Sequence, residues 1–428
     1  MTQNFLFTAW EGGGNVPPTM EAVRRLLARG HDVRVLADDS MRREVEMAGA
    51  AFIAWRRAPN RPDLTNASIL LRDYEAEGPG GDLIYLLDHF AIGRAADYAA
   101  DTIDELRRVP ADAVVSSELL FGPMIAAEAT GTRLVLLGAN LCLPILVPGG
   151  PKMGPGMMPP VTPEEHAQAD GIRDWVADVM ARQLPALNAA RASVGLAPMT
   201  RATDQAAIAD RILLAVSRAF DFPGGNLPPA ARYVGPLLEQ PYWVGTWTSP
   251  WSESDKRPLV LMAFSTTFQD QASVVQAVLD AVAPLAVRVL ATLGPALEHI
   301  PLRLPANART VVAAPHDIVM REAALVVTHA GHGTVMRALA HGLPMLCLPM
   351  GRDQDDNAVR VVARGAGLRL PRESKPTAIA AAITWLLDDP AFAAAAACLG
   401  RAIAASEPEN ALVDALEESA LAPPLHVS

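Results

Sequence analysis

The chain has 428 residues, of which 50% are hydrophobic and 19% are charged. This composition is typical of a folded globular protein and excludes large-scale disorder. The length suits two domains of roughly 200 residues each, with a cleft between them. The net charge of -11 disfavours nucleic acid as a partner, because binding to polyphosphate needs clustered Lys and Arg and the sequence has no such cluster.

Neither a disulfide framework nor a membrane span is indicated. The cysteines, Cys142, Cys347 and Cys398, lie far apart in apolar surroundings, which predicts buried thiols in a reducing compartment. The longest apolar stretch, residues 134–147, is interrupted by polar and proline residues and is shorter than the ~20 residues that a span needs. No secretory signal is visible. We therefore expect a cytoplasmic protein.

The first half alternates short apolar runs with helical patterns. A run at 5–8 precedes a glycine-rich loop, a helical pattern at 19–29 and a second run at 33–36. This order predicts a βαβ unit, and hence a parallel sheet. Further buried strands are predicted at 113–116 and 133–137, at the spacing of a doubly wound sheet.

Two segments rich in Pro and Gly interrupt this alternation. Residues 148–163 are predicted as a long loop over a pocket, because prolines and glycines at this density exclude regular structure. A helix is predicted at 163–197 and a strand at 212–216. Residues 222–258 are again rich in Pro, Gly and Trp, and they predict the linker between the halves.

After the linker the alternation of strands and helices resumes. The predicted elements are strands at 259–264, 287–291, 310–313, 325–328 and 345–348, with a helix at 272–283. We therefore predict an α/β protein with one Rossmann-like domain at 1–220, a linker at 221–258 and a second Rossmann-like domain at 259–428. The last helix is a candidate to pack back on the first domain.

The most informative segment is Leu325-Val-Val-Thr-His-Ala-Gly-His-Gly-Thr-Val-Met-Arg-Ala-Leu-Ala-His-Gly342. It runs from a predicted buried strand through a small-residue turn into a helix. Gly331 and Gly333 allow the backbone to approach a ligand, and the unpaired amides of the first helical turn favour an anion. His329 and Thr334 add side-chain donors at the same end. A glycine-rich cap without a ligand is the alternative for such a turn, and the flanking residues decide between the two.

Those flanking residues carry a resemblance to a known family. His329-Ala-Gly-His-Gly-Thr334, Ala338-Leu-Ala-His-Gly-Leu-Pro344, Pro349 and Asp353-Gln-Asp-Asp-Asn-Ala358 closely resemble the donor-binding signature of family-one glycosyltransferases, the group that contains antibiotic and macrolide glycosyltransferases. The resemblance implies the GT-B fold, in which two Rossmann-like domains face each other across a cleft. It also implies inverting transfer of a sugar from a UDP or dTDP sugar to a small apolar acceptor, such as a natural-product aglycone, without a metal or other cofactor.

The resemblance further implies which residues bind the donor. They are Ser265, Thr266, Ala314, His316, His329, Gly331, His332, Gly333, Thr334, Asp353, Gln354 and Asn357. Within this set His329 and the two glycines meet the diphosphate, whereas Asp353 and Gln354 meet the sugar hydroxyls. His316 stands where the family usually has glutamine, so the identity of the base stays open.

The general base is the weak point of the resemblance. Relatives commonly supply a histidine from the first βα loop, and here that position is Asn15, in Gly14-Asn-Val-Pro-Pro18. An amide does not accept a proton near neutral pH, so Asn15 is expected to orient the acceptor or a water. The other catalytic candidates are Glu11, Asp88, His89 and Glu118. His89 and Glu118 are preferred because they adjoin apolar segments.

Apolar residues at predicted strand ends and in loops are candidates for contact with the acceptor. They are Trp10, Trp55, Phe121, Met153 and Met157. Adaptable, apolar walls suit an apolar aglycone better than a polar one.

Two other motifs are weaker. Gly12-Gly-Gly-Asn-Val-Pro17 resembles a dinucleotide fingerprint, but Pro17 occupies the position of its third glycine. Asp353-Gln-Asp355 spells a metal-binding DxD pattern, but its flanks favour a contact with the sugar.

A GT-B nucleotide-sugar epimerase and a catalytically silent nucleotide-sugar-binding protein remain as alternatives. The oligomeric state, including a homodimer, stays open.

Overall fold

The computed structural model describes residues 2–78, 80–141, 143, 146–147, 154, 156–238, 244–265 and 267–421. Two residues predicted to bind ligands, Thr266 and Met153, lie outside these ranges. Much of the loop predicted at 148–163 lies outside them as well.

Within the described ranges, seven parallel strands form the first sheet. They are β1 (Asn4–Thr8), β2 (Asp32–Ala37), β3 (Ala51–Ala54), β4 (Ala113–Ser117), β5 (Arg133–Gly138), β6 (Arg211–Leu214) and β7 (Ala231–Tyr233), in the spatial order β3-β2-β1-β4-β5-β6-β7. The accompanying helices are α1 (Val16–Ala28), α2 (Arg42–Ala48), α3 (Gly81–Leu86), α4 (Ala95–Arg108), α5 (Phe121–Thr130) and α6 (Pro163–Ala192). Short 3₁₀ turns at Asn66–Ser68 and Asp73–Glu75 precede α3.

The second sheet has six parallel strands in the part of the chain that the structure describes. They are β8 (Leu259–Ala263), β9 (Arg288–Thr292), β10 (Ala308–Val311), β11 (Ala323–Thr328), β12 (Met345–Cys347) and β13 (Gly367–Arg369), in the order β10-β9-β8-β11-β12-β13. Its helices are α7 (Ala272–Val282), α8 (Gly294–Leu297), α9 (His316–Val319), α10 (His332–Ala340), α11 (Gln354–Ala363), α12 (Pro376–Asp388) and α13 (Pro390–Ala404), and α14 (Ala411–Leu421) ends the described chain. The predicted pair of Rossmann-like domains is confirmed.

Both sheets are covered by helices on their two faces, which is why their strands are apolar throughout rather than alternating. In the first sheet, Phe5 and Phe7 pack with Met20 of α1 and Leu416 of α14 in one buried cluster. In the second, a buried cluster joins sheet residues with α7 and α12. Helix α14 therefore packs on the first sheet, where Gln3 Nε2 donates to the Glu417 carbonyl oxygen at 3.2 Å.

Several element boundaries differ from the sequence prediction. Helix α1 begins at Val16 instead of residue 19, because Pro17 and Pro18 occupy its first turn, where the missing N–H groups cost nothing. Strand β7 lies inside the predicted linker and pairs with β6, so the first sheet extends past residue 220. The short strands β3 and β13 were not predicted, because three or four residues carry too little periodicity.

The order of strands determines where the loops meet. In the first sheet β1 pairs with both β2 and β4, and in the second β8 pairs with both β9 and β11. At these strands the chain switches from adding strands on one side of the sheet to adding them on the other. The loops that follow the carboxyl ends there point apart and leave a crevice for a ligand. The loops after β1, β4, β8 and β11 hold most of the residues predicted to act on ligands.

No single helix in the described part of the chain is long and apolar enough to cross a membrane. The pair Pro376–Asp388 and Pro390–Ala404, bent by 72°, has the length and composition of a broken span.

Candidate active site

A cleft of about 1820 Å³ lies between the two domains. The first domain contributes the loops after β1 and β4 together with α3 and α6, and the second contributes the loops after β8, β9, β11 and β12. The crevices of the two sheets therefore open into one cavity, as expected for a site that brings two substrates together.

The N-terminus of α10 faces this cleft. Gly331 is its N-cap residue, no side chain caps it, and the first turn holds His332, Gly333 and Thr334. A Cβ added at Gly333 would meet no atom within 4 Å, so the glycine is not required by packing and leaves the helix end open to a ligand. Uncapped amides at the positive end of a helix dipole form a site for an anion such as a phosphate.

His329 lies directly beside this helix end. A Cβ at Gly331 would come within 2.6 Å of His329 Nε2, which explains why glycine follows two residues after the histidine. Burial lowers the pKa of His329 to about 4, opposed by a hydrogen bond with the Ala263 backbone and reinforced by the charge of Arg352. The ring is therefore neutral near pH 7 and acts through hydrogen bonding rather than as a cation.

The turn after β8 forms a second part of the same wall. Ser265 and Thr267 are buried, their hydroxyl oxygens are 3.1 Å apart, and both residues line the cleft. Gln271 Nε2 donates to the carbonyl oxygens of Ser265 and Thr267, each at 3.2 Å. The turn is held in place by its own hydrogen bonds.

Ala314 and His316 line the end of the cleft where the resemblance places the base. His316 Nε2 lies 3.2 Å from the Thr292 hydroxyl, which in turn lies 3.2 Å from the Met262 carbonyl oxygen. Burial lowers the pKa of His316 to about 4. The ring is therefore neutral near pH 7, with one nitrogen as a donor and the other as an acceptor.

Asp353, Gln354 and Asn357 lie together where α11 begins. Asn357 Nδ2 donates to Asp353 Oδ2 at 2.9 Å, and Gln354 Nε2 donates to Gln269 Oε1 at 2.9 Å. Asp353 and Gln354 line the cleft, and burial raises the pKa of Asp353. His332 extends this network to the first domain, because its Nδ1 lies 3.2 Å from Asn357 Oδ1 and its Nε2 lies 3.2 Å from the Ala215 carbonyl oxygen.

The DxD pattern does not converge on one point. Asp353 accepts a hydrogen bond from Asn357, whereas Asp355 forms an ion pair with Arg369. Among the described residues, no group of three or more His, Cys, Asp or Glu side chains has the arrangement of a metal site.

Glu118 follows β4 directly, and among the carboxyl groups of the first domain it has the properties best suited to a general base. It is 6% exposed and lines the cleft. Burial raises its pKa to about 7, against hydrogen bonds from Ser117 and the Ala139 backbone, and the charge of Asp353 adds to the rise. A group poised near neutral pH can take up a proton and release it again.

Asn15 lines the cleft, and its amide braces the glycine-rich loop. Its Nδ2 donates to the Trp10 carbonyl oxygen at 2.8 Å, and its Oδ1 accepts from Gly12 N at 3.1 Å. One N–H and one lone pair of the amide are not used by these two bonds, so the expectation that it orients an acceptor stays a prediction. Glu11 lines the cleft too, but its Oε1 accepts from Gly13 N at 2.9 Å and lies 3.9 Å from Arg61 Nη1.

Two of the predicted catalytic candidates do not line the cleft. Asp88 is exposed and accepts a hydrogen bond from Gln183 Nε2. His89 is exposed and stacks on Tyr85, with ring centroids 4.2 Å apart. Both lie on a turn of π-helix at Leu87–Ala91, whose buried side faces the core through Leu87 and Phe90, and this rotation turns residues 88 and 89 outward.

The cleft is lined largely by apolar surface. Trp10, Phe121 and Met157 are among its lining residues, and their contact with an acceptor stays a prediction. Trp55 is not among them, because its indole Nε1 is turned to the Ala9 carbonyl oxygen, to which it donates at 2.9 Å, so the prediction of acceptor contact is corrected.

The sequence reading missed a wall made by α3 and α6. Its lining residues are Leu83, Leu86, Ile172, Trp175, Val176 and Met180. In α6 the large apolar residues of this wall lie three to four positions apart, among mainly polar residues and alanines. That apolar stripe could have predicted a buried or ligand-facing side of the helix from the sequence. Asp73 and Arg352, from opposite domains, also line the cleft and were missed.

Two Rossmann-like domains, an interdomain cleft, an uncapped helix terminus on one side and a largely apolar lining are the architecture of GT-B glycosyltransferases. Residues 276–418 match the family model of the erythromycin biosynthesis protein CIII-like, C-terminal domain. This match, and relatives named as antibiotic and natural-product glycosyltransferases, confirm the resemblance noted in the sequence and indicate that the chain is a glycosyltransferase.

Relatives and solved structures extend the match over nearly the whole chain. The chain is 28% identical over 422 residues to 4'-demethylrebeccamycin synthase of Lentzea aerocolonigenes, covering 97% of this chain and 99% of the relative. It is 27% identical to O-mycaminosyltylonolide 6-deoxyallosyltransferase of Streptomyces fradiae, covering 94% of each chain. The fold is similar to that of the kitacinnamycin glycotransferase, with a TM-score of 0.74 at 21% identity over 98% and 99% of the two chains. It is also similar to that of glycosyltransferase VinC in complex with DTDP, with a TM-score of 0.70 at 20% identity over 97% and 99%.

Proposed function

We propose that this protein transfers a sugar, with inversion and without a metal, from a dTDP or UDP sugar to an apolar acceptor of the natural-product aglycone class. The observation that carries the proposal is that Glu118 and the uncapped N-terminus of α10 open into the same cleft from opposite domains. A base on one side and an anion site on the other are what a direct displacement requires.

In this reaction the acceptor heteroatom attacks the anomeric carbon as the bond from that carbon to the diphosphate oxygen breaks. The diphosphate leaves with the bonding electrons, and the amides at the start of α10, with His329, stabilise its charge. The acceptor proton passes to the Glu118 carboxylate. We assign this role to Glu118 rather than Glu11 for two reasons. The charge of Asp353, the predicted sugar contact, helps to raise the pKa of Glu118. Glu11 accepts a hydrogen bond from Gly13 N and lies beside Arg61.

The nature of both substrates is inferred from the walls and from the relatives. A neutral His316 has one donor and one acceptor nitrogen, which suits the carbonyl and N3–H groups of uracil or thymine. Two solved relatives of similar fold were determined with DTDP or thymidine diphosphate bound, which supports dTDP first. The wall of Trp10, Phe121, Trp175 and Met180 suits a flat apolar acceptor. We place the reaction in the cytoplasm.

The first test is a thermal-shift panel of dTDP, UDP and ADP, each with and without EDTA. At 100 times its dissociation constant, dTDP or UDP should stabilise the protein by about 2.7 kcal/mol, and the chelator should not change this. Loss of the effect in EDTA would replace the metal-free proposal with a metal site at Asp353. A lack of stabilisation by any nucleoside diphosphate would remove the proposed donor site.

The second test supplies a dTDP hexose with and without a panel of planar polycyclic acceptors and follows the products by mass spectrometry. Glycosylated acceptor is the expected product. Conversion of the dTDP hexose in the absence of any acceptor would favour an epimerase. Binding with no turnover on any acceptor would favour a silent nucleotide-sugar-binding protein.

A further inference from the structure

One segment of the first domain reaches across the cleft to the second domain. We call residues 66–78 and 80–82 the strap. Its contacts are Asn66 Nδ2 to the Ala296 carbonyl oxygen at 2.8 Å, the Asp73–Arg352 ion pair, and the rings of Tyr74 and Phe268 at 5.2 Å. The strap therefore spans the second domain from α8 to the turn that precedes α11.

The Asp73–Arg352 pair is the strongest of these contacts. Arg352 Nε donates to Asp73 Oδ2 at 2.6 Å, and Nη2 donates to Oδ1 at 2.8 Å. Two parallel, charge-assisted bonds fix the relative orientation of the two groups as well as their distance. The Asp73 side chain is 7% exposed, so a carboxylate left without Arg352 would be buried and unpaired.

Arg352 sits at a strained point immediately before Asp353. Its φ is +57°, in the left-handed region, and the preceding Gly351 has φ +138°. A non-glycine residue stays in this conformation only where its surroundings determine it. Two contacts from the opposite domain hold Arg352 in this conformation. They are the ion pair with Asp73 and the contact of Arg352 N with Asp82 Oδ2 at 3.4 Å.

Arg352 is also close to the predicted diphosphate site. Its Nη1 lies 3.4 Å from Thr267 Oγ1 in the turn after β8, and its positive charge contributes to lowering the pKa of His329. The turn at Gly351–Asp353 thus lies between the phosphate end and the sugar end of the donor cleft.

We propose that Asp73 is a positioning residue for sugar transfer: through its bidentate pair with Arg352 it holds the turn that aims Asp353 at the donor sugar. The inference rests on the proposed use of Asp353 for the donor sugar. Asp73 and Asp82 of the strap line the cleft, and a wall held in place there keeps water away from the anomeric carbon, so that the acceptor rather than water receives the sugar.

The test compares Asp73→Asn, Arg352→Lys and Glu75→Gln in the full chain, using dTDP and a dTDP hexose as probes. Asp73→Asn keeps the shape of the side chain and removes its charge. Arg352→Lys keeps the charge and loses the bidentate geometry. Glu75→Gln is the matched control, because Glu75 lies on the same turn but pairs with Arg72 at 3.1 Å on the exposed surface.

Asp73→Asn should lower kcat by on the order of a hundredfold, the cost of a misplaced reacting geometry, while dTDP affinity stays at or above the wild-type value because Arg352 remains. The ratio of hydrolysed to transferred sugar should rise. Arg352→Lys should fall between the wild type and Asp73→Asn in both measures, and Glu75→Gln should match the wild type.

A purely structural role for the pair predicts a different outcome. It would lower the melting temperature without changing the ratio of hydrolysis to transfer, and that result overturns the inference. Wild-type kcat in Asp73→Asn overturns it as well. If Asp73→Asn fails to fold, Arg352→Lys provides the test instead. A wild-type ratio of hydrolysed to transferred sugar in Arg352→Lys then overturns the inference. A wild-type protein that neither binds dTDP nor transfers the sugar refutes the proposed function instead.

Discussion

Arg360 and Asp221 form an ion pair across the boundary between the two domains, and each side chain is only 1% exposed. Arg360 Nε and Nη2 both donate to Asp221 Oδ1, at 2.9 Å and 2.8 Å, while the Tyr233 hydroxyl donates to Oδ2 at 3.0 Å. The guanidinium also lies over the Phe222 ring at 4.4 Å. The pair joins α11, which carries Asn357, to the segment between β6 and β7 of the first sheet.

Removing one partner of this pair should destabilise the fold. Asp221→Asn removes the carboxylate that accepts two bonds from the buried guanidinium and leaves it with the Asp356 carboxylate, whose Oδ1 lies 3.7 Å from Nη1, which costs about 3–5 kcal/mol. The loss is measured as the free energy of unfolding in urea. Asp280→Asn is the control, since its pair with Arg303 is 3.1 Å long and exposed, and its loss should stay within ~0.5 kcal/mol. Equal losses in the two variants would contradict the prediction.

His329→Ala should weaken dTDP binding while leaving the fold intact. The variant removes one strong hydrogen bond at the end of α10, worth about 1–3 kcal/mol. Isothermal titration with dTDP checks the change in affinity, and circular dichroism checks the fold. His299→Ala, which changes an exposed histidine outside the cleft lining, is the matched control. Unchanged affinity in His329→Ala would remove this residue from the site.

Glu118→Gln should abolish the acidic limb of the pH profile. Burial raises the pKa of Glu118 to about 7, and a general base must be ionised, so wild-type kcat/KM should rise as pH passes through about 7. The variant should lose roughly a hundred- to ten-thousandfold in rate. Asp88→Asn, which changes a carboxylate outside the cleft lining, should keep the wild-type profile. A wild-type profile in Glu118→Gln would move the base elsewhere, with Glu11 next to be replaced.

The same variant should change the pH dependence of stability. The folded-state pKa of Glu118, about 7, lies above its ordinary value of 4.5, so the folded protein binds this proton more tightly than the unfolded chain does. The stability that Glu118 contributes is present below pH 4.5 and is lost as pH rises to about 7. Glu118→Gln cannot ionise, so its stability relative to the wild type should increase across that window. Urea titrations at pH 5 and pH 8 measure the difference.

Asn15→Ala should cost stability more than it costs catalysis. It removes two hydrogen bonds, to the Trp10 carbonyl and from the Gly12 amide, which keep only their mutual bond at 3.1 Å, a loss of about 1–3 kcal/mol. Its effect on kcat should be smaller than that of Glu118→Gln, because Asn15 braces the loop and does not take the proton. Asn15→His should not exceed wild-type activity. A gain of activity in Asn15→His would place the base at this position after all.

Local patterns were sufficient for most elements and for the donor signature. The turn from β11 into α10 was predicted because its small residues, histidine and helix start are neighbours in the chain. Strands β4 and β5 were recognised in the same way. By contrast, His89 and Glu118 were both preferred over Asp88 in the sequence, since both adjoin apolar segments. Only the rotation of the π-helical turn, which exposes residues 88 and 89, separated them.

Local sequence patterns were enough to predict the two-domain α/β plan and the helix start at Gly331, because strand periodicity, helix capping and glycine turns act over a few neighbouring residues. The class of transferase followed from the resemblance of the donor signature. The tertiary structure alone decided that Asn15 braces its loop, that Trp55 is internal, and that Asp73 meets Arg352 although 279 positions separate them. Contacts of that separation depend on how two sheets and a connecting segment pack. No local pattern records that packing, because any exposed acid on the strap has the same local signature until a guanidinium from the other domain is placed against it.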